Sequence, residues 1–290
     1  MQNLVIYLFG SGLIFFPGTA CVELSLLLST ISSSRWQRRL AVTAGVSGLI
    51  LIGLSATPLP YWFYGIAYST TGVWMIIEHS SRVKLVRRKV RLRVVTALIW
   101  LVAVAWESPY QRSPAIVVRG SPTLFVIADS ITAGVGEREA VTWPVLIQRT
   151  HQIKLHDFSR MGAGVAAAYR QAEGLPDSGG LVLIEIGGND MLGTTTLPNF
   201  ERGLEQLLTR VCQTDRTVMM FELPLPPLFN EYGRIQRRVA AQHRVPLIPK
   251  RLLIGVLTTP GNTLDSIHLT QAGHTQMSEL VWKLIRPAYE

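Results

Sequence analysis

The hydrophobic pattern divides the chain near residue 106 into two unlike halves. In the first half the apolar runs are long. Leu4 to Ile31 is 28 residues with a single charge, Glu23. A spanning helix needs about 20 apolar residues, so this run is long enough. Leu40 to Ile77 carries no charged residue at all. As one helix it would reach roughly 57 Å, nearly twice the hydrocarbon thickness of about 30 Å. Pro58-Leu59-Pro60 sits in its middle, and proline breaks a helix by removing an N–H and clashing with the preceding turn. Two helices joined by a tight turn at Thr57–Pro60 are therefore predicted. Tyr61, Trp62, Phe63 and Tyr64 follow at once, where interfacial aromatics belong. Val94 to Trp106 leaves only 13 uncharged residues, about 20 Å as helix. It counts as a fourth span if Arg91 and Arg93 snorkel at one end and Trp106 and Tyr110 anchor the other. The competing reading is an interfacial or re-entrant segment. The expected spans are 4–31, 40–57, 61–78 and 92–108, within a helical membrane domain over 1–106.

The second half changes period. Residues 107–122, with Ser-Pro at 108–109, 113–114 and 121–122, read as a linker. Over 123–290 short apolar runs alternate with amphipathic stretches. Strands are predicted at Thr123–Ala128, Ile153–Asp157, Leu181–Ile186, Thr217–Leu223 and Val245–Ile248. Helices are predicted near Val141–His151, Gly164–Ala172, Phe200–Gln213, Phe229–His243 and Thr270–Ile285. Strands separated by helices imply an α/β domain, a parallel sheet with helices on both faces. In such sheets the active site lies at the carboxyl ends of the strands.

Composition averages these two objects: 48% hydrophobic, 16% charged, mean hydropathy +0.27. The net charge of +9 invites a nucleic-acid reading, but the positions of the charges oppose it. Arg35, Arg38 and Arg39 form one cluster between apolar segments, and Arg82, Lys84, Arg87, Arg88, Lys89, Arg91 and Arg93 form a second. That is the pattern of cytoplasmic membrane loops, so no nucleic-acid partner is expected. With both clusters in the cytoplasm, four spans place the second half on the outer face of the inner membrane. Three spans would leave it inside. A signal peptide is the rival for the first run, but Met1-Gln2-Asn3 has no basic residue and the run is too long. Thr19-Ala20-Cys21 faintly resembles a lipoprotein cleavage site, with Gly18 where such sites prefer Leu. Cys21 lies in an apolar segment and Cys212 in the other half, so no disulfide is expected. Glu23 in a span is costly. It contacts a substrate or another subunit, or, on the favoured reading, is a neutral, hydrogen-bonded side chain near the interface.

Three short blocks carry chemistry. The first runs from an apolar strand into a hydroxyl: Phe125-Val126-Ile127-Ala128-Asp129-Ser130-Ile131-Thr132-Ala133-Gly134. Taken alone, a Ser after a strand is usually a helix cap. The second is Ile186-Gly187-Gly188-Asn189-Asp190, where an amide N–H aimed into a cleft can stabilise an oxyanion; the plain alternative is an Asn-Asp turn. The third is Asp265-Ser266-Ile267-His268. An Asp three residues before a His can bond the imidazole Nδ1 and leave Nε2 to accept a serine proton.

In the order Ser, Gly, Asn, Asp-x-x-His, these blocks resemble the SGNH (GDSL) hydrolases over nearly the whole second half. Within that family the chain is most similar to the bacterial periplasmic thioesterase/lysophospholipase group. Trp143-Pro144 and the Leu-Pro pairs at 223–226 add to the likeness. The resemblance implies Ser130 as nucleophile, His268 as base and Asp265 as its orienting carboxylate. It implies the backbone N–H groups of Ser130 and Gly162 and the Asn189 side chain as oxyanion donors, with Gly164 the alternative glycine. Two positions depart from the family: Ala128 replaces its usual Gly, and Asp157 stands where an Asn is common. His274 and Asp190 read as holding loops or helix starts. The run Arg234, Arg237, Arg238 reads as a solvated helix face. His151, His156 and His243 match no metal-ligand spacing, so neither metal nor cofactor is expected. The implied activity is hydrolysis of carboxylic or thioesters through an acyl-enzyme, on lysophospholipid, acyl or O-acetyl polysaccharide esters. The alternatives are an acyltransferase partner or a non-catalytic subunit of an envelope membrane complex, with the helices as interaction surface.

Overall fold

The apolar runs of the second half become five short strands. They are β1 (Leu124–Ala128), β2 (Leu155–Asp157), β3 (Gly180–Glu185), β4 (Arg216–Phe221) and β5 (Leu247–Ile248). All pair in parallel, in the order β2-β1-β3-β4-β5. Every residue of β1 and β3 is buried, as expected of strands covered on both faces. The order reverses at β1 and β3, so the crevice beyond their carboxyl ends is the topological switch point of the sheet. The computed structural model describes residues 2–31, 34–79, 86–115, 122–135, 141–177, 179–212 and 215–290. The expectations that rest on Arg82 and Lys84, and the end of a predicted helix at Gln213, fall outside them.

The chain forms two compact units. One comprises Met1–Tyr7, Tyr110–Leu225 and Glu231–Glu290; the other comprises Leu8–Pro109 and Pro226–Asn230. In the first, the sheet is flanked by α7 (Trp143–His151), α8 (Val165–Gln171), α10 (Leu197–Val211), α11 (Asn230–Gln242), α12 (Lys250–Thr258) and α13 (Gln271–Ile285). Single turns, α6 (Ser130–Ala133) and α9 (Gly188–Leu192), follow β1 and β3. Helix α10 buries Phe200, Gly203, Leu204, Leu207, Leu208 and Val211, a 3.6-residue stripe that faces the core. On the α13 side, Leu124, Val126, Trp143, Met219, Phe221 and Met277 belong to one buried cluster.

The helical unit departs from the expected spans in several ways. The run 4–31 is two helices, α1 (Gln2–Gly10) and α2 (Phe15–Ile31), bent by 77°. Gly12 takes a left-handed φ of +78°, which ends α1, and the Ser55 hydroxyl donates to the Gly12 carbonyl at 3.3 Å. The expected spans 40–57 and 61–78 correspond to α3 (Arg35–Leu54) and α4 (Tyr61–His79). The basic residues Arg35, Arg38 and Arg39 lie within α3 rather than in a loop, because Ser34 caps the helix just before Arg35 in a capping box with Gln37. The expected short span 92–108 is a 22-residue helix, α5 (Val86–Glu107). Arg93, near the start of α5, is paired. Its Nε and Nη2 reach the Glu78 carboxylate at 2.9 and 2.8 Å, and Nη2 also reaches the Ser29 carbonyl. Trp74, Trp100, Phe15 and Ile52 form a buried cluster, and the Trp100 indole donates to Thr71 at 2.9 Å. Among the described residues no single helix is long and apolar enough to cross a membrane; only the bent pair α1–α2 passes on length and composition together. Arginines fill the first turns of α3 and α5 and shorten their apolar stretches.

The predicted linker is partly structured. Ser108–Gln111 is a 3-10 turn. The Arg237 guanidinium lies 3.6 Å over the Tyr110 ring, and Arg251 donates to the Gln111 carbonyl at 3.1 Å. Residues 116–121 of that segment lie outside the described residues.

Candidate active site

The three blocks meet at the switch point. Strand β1 delivers Asp129, whose carboxylate accepts the Ile131 N–H at 2.9 Å and so caps α6. That cap starts the single turn whose first residue is Ser130, 5% exposed. The His268 loop is closed by its own backbone. Leu264 N–H donates to the His268 carbonyl at 2.8 Å, Thr263 bridges Leu269, and Ser266 takes a left-handed φ of +81°. Asp265 Oδ1 accepts the N–H groups of Ile267 and His268 at 3.1 and 2.9 Å. Its Oδ2 lies 2.6 Å from His268 Nδ1, and His268 Nε2 lies 3.1 Å from Ser130 Oγ. The His268 backbone N–H and imidazole hold the Asp265 carboxyl down to about 2, so it stays ionised at any ordinary pH. A serine hydroxyl, an imidazole and a carboxylate in this series can move the hydroxyl proton to Nε2.

Gly162 and Gly164 differ sharply. Gly162 takes a left-handed φ of +72°, and a Cβ there would meet nothing within 4 Å. A Cβ on Gly164 would fall 2.7 Å from Asp190 Oδ1. Gly164 is therefore a packing position, and Asp190 Oδ2 accepts the Val165 N–H at 2.8 Å to start α8. Asn189, in the first turn of α9, donates from Nδ2 to Asp129 Oδ2 at 3.2 Å and to the Ala163 carbonyl at 3.1 Å. Its amide thus ties the second block to the first and to the segment that carries Gly162. The departures from the family pattern are absorbed locally. The Ala128 carbonyl accepts from Arg160 N and Gln171 Nε2, and Asp157 accepts the Ser159 N–H at 2.9 Å.

Several site-supporting residues escaped the sequence reading. Glu185, the last residue of β3, is buried against Asp129. Burial and the charge of Asp129 raise its carboxyl well above the ordinary range. Burial likewise pushes Asp129 up to about 6. Thr132 donates to Glu185 Oε2 at 3.1 Å and accepts the Trp143 indole N–H at 3.1 Å. The available signal was an acid inside the otherwise apolar run Leu181–Ile186. His274 Nδ1 accepts the Trp143 backbone N–H at 3.3 Å, and burial lowers the imidazole to about 4. The expected solvated arginine face holds only for Arg238, half exposed and paired with Glu201. Arg237 is buried, 2.7 Å from Glu222, and Lys250 reaches the same carboxylate at 3.3 Å. Arg234 pairs with Glu231. Cys21 and Cys212 are both free thiols, and no metal-holding cluster occurs among the described residues.

The family model of the GDSL-like lipase/acylhydrolases matches residues 129–276, just over half of the chain. The chain is 27% identical to esterase TesA of Pseudomonas aeruginosa over 179 residues, 57% of this chain and 88% of that protein. It is 25% identical to thioesterase 1/protease 1/lysophospholipase L1 of Escherichia coli over 197 residues, 63% of this chain and 93% of that one. In fold it is similar to the psychrotrophic esterase EstA of a Pseudoalteromonas species, with a TM-score of 0.51, 18% identity, and 57% and 97% of the two chains covered. The chain belongs to the GDSL-like lipase/acylhydrolase family and is a serine ester hydrolase of the SGNH type.

Proposed function

We propose that this protein is a membrane-anchored esterase in which Ser130 attacks the ester carbonyl and His268 takes its proton. The observation that carries the reading is the continuous series Ser130 Oγ, His268 Nε2, His268 Nδ1, Asp265 Oδ2, with contacts of 3.1 and 2.6 Å at the switch point. As Oγ bonds to the carbonyl carbon, its proton passes to Nε2 and the carbonyl electrons move onto oxygen. The Ser130 and Gly162 N–H groups and the Asn189 amide receive that oxyanion. The open space at Gly162 and the crowding at Gly164 favour Gly162 as the glycine donor. His268 then gives the proton to the departing alcohol or thiol, and water repeats the sequence on the acyl-enzyme. No step calls for a cofactor. A fluorophosphonate probe is expected to label Ser130, and Ser130→Ala to lose both labelling and p-nitrophenyl butyrate hydrolysis. Full hydrolysis by that variant would refute the assignment.

The membrane reading rests on the exterior of the helical unit. Leu27, Ile50, Ile66, Ile76, Leu98 and Leu101 are exposed, while Ser25, Thr71 and Thr96 are buried. Apolar outside and polar inside is the arrangement a lipid solvent selects. With α1–α2 as one broken span and α3, α4 and α5 as three more, the catalytic unit lies on the periplasmic side of the inner membrane. Lysophospholipids, acyl thioesters and O-acetylated envelope polysaccharides are the candidate substrates there. Reporter fusions joined after Arg119 test the side: a periplasm-only reporter should be active and a cytoplasm-only reporter silent.

A further inference from the structure

We propose that Glu185 and Asp129 form a paired-carboxyl clamp that positions the Asn189 amide, with Glu185 as a positioning residue for the reaction. This rests on the assignment of Asn189 as an oxyanion donor. The two side chains sit at neighbouring strand ends, because Ala128 and Glu185 are register partners in the β1–β3 pair. The Asp129 N–H donates to the Glu185 carbonyl at 3.2 Å, each carboxyl acts on the other, and no lysine or arginine acts on either among the described residues. Two buried carboxyls in contact cannot both ionise, so the pair holds one proton.

The hydrogen bonds around the pair fix where that proton sits. The Trp143 indole is a donor only, so the Thr132 oxygen accepts from it. The Thr132 hydroxyl hydrogen is thereby directed to Glu185 Oε2. Glu185 keeps the acid proton and gives it in a hydrogen bond to Asp129. Asp129 is left as the anion, and it collects the Ile131 N–H that begins the nucleophile turn and one hydrogen of Asn189 Nδ2. The second Asn189 hydrogen rests on the neutral Ala163 carbonyl, the weaker acceptor of the two. An oxyanion forming on the acylated carbonyl can take that hydrogen while Asp129 holds the other. The groups that face Asp129 are Glu185 on β3, Asp190 on α9 and His268 on its loop; Asp190 adds negative charge and His268, when protonated, opposes it.

The test uses the full chain and the variants Glu185→Gln and Glu185→Leu. Gln can still donate to Asp129 and accept from Thr132, but it has no acid proton. Glu185→Leu removes both bonds, and kcat should fall about tenfold to hundredfold with KM nearly unchanged; Gln should restore kcat. Gln is neutral, as protonated Glu185 is, so the acid limb of kcat/KM should keep its shape in Glu185→Gln. A wild-type kcat in Glu185→Leu, or a kcat in Glu185→Gln no higher than in Glu185→Leu, overturns the clamp. An infrared difference spectrum at pH 7 reads the pair without activity. A protonated carboxyl band present in wild type and absent in Glu185→Gln supports it, and no such band overturns it. Fluorophosphonate labelling of the wild type keeps the two ideas apart: an unlabelled wild type sinks the esterase reading, while the infrared result still judges the pair.

Discussion

Asp265 offers a quantitative test because its exposure sets how much it can contribute. In the transition state His268 becomes an imidazolium, with Asp265 Oδ2 2.6 Å from Nδ1. Two unit charges about 4 Å apart attract by about 1 kcal/mol in water and about 4 kcal/mol at an effective dielectric of 20. The Asp265 side chain is 56% exposed and that of His268 25%, so solvent screens the pair and the lower part of that range applies. About 2 kcal/mol corresponds to roughly 30-fold in rate. Asp265→Asn keeps the shape and a carbonyl for the Ile267 and His268 N–H groups, yet lacks the charge. Its kcat/KM on p-nitrophenyl butyrate at pH 8 should fall by about 30-fold. That is far short of the roughly 10,000-fold loss when a buried triad aspartate is replaced in serine proteases. The loss should shrink in about 1 M salt, where the screening length is about 3 Å. Wild-type activity in Asp265→Asn would refute the orienting role. A loss as large as that of Ser130→Ala, with no salt dependence, would refute the screened-charge argument.

Gly162→Ala should leave Tm within a few degrees, because its Cβ enters open space and the left-handed φ costs about 1–2 kcal/mol; kcat should drop if its N–H serves the oxyanion. Gly164→Ala should instead lower Tm more steeply, since its Cβ strikes the Asp190 carboxylate that starts α8; equal melting of the two variants would contradict this. Glu222→Gln should cost about 3 kcal/mol of stability, read as a lower Tm, because Arg237 and Lys250 both sit against that buried carboxylate. His274 is neutral in the fold down to about pH 4, against an ordinary imidazole value of 6.5. The unfolded chain therefore binds the extra proton between those values. The stability this group contributes is complete above about pH 6.5 and is lost as pH falls toward 4, at most about 3 kcal/mol. Melting curves at pH 7.5 and 4.5 should differ less in His274→Gln than in wild type.

The parts of the site legible in the sequence are those whose contacts are local. Asp265 and His268 are three residues apart, and one tight loop suffices to join Oδ2 to Nδ1. Ser130 and Asn189 each follow an apolar strand directly, so the strand rule places both at the same sheet edge without knowledge of the packing. Glu185 has no such signature. Its partner Asp129 is far away in sequence and is brought near only by the register of β1 against β3. The acid therefore reads as a lone polar position in an apolar run until the pairing is known. The same reason hides Arg237, whose spacing with Arg234 and Arg238 describes a solvated face until Glu222 and Lys250 arrive from other elements. In the helical unit the error runs the other way. An unbroken apolar run over 4–31 says nothing of its direction, and the break at Ser11–Gly12 depends on Ser55, 43 residues later, which donates to the Gly12 carbonyl. Helix α12 was missed because one proline separates it from β5 and its apolar stripe spans only nine residues. Local chemistry thus singled out the residues proposed to react. The pairings that hold them in place became visible only once distant strands were set side by side, and Glu185 is where that difference can be measured.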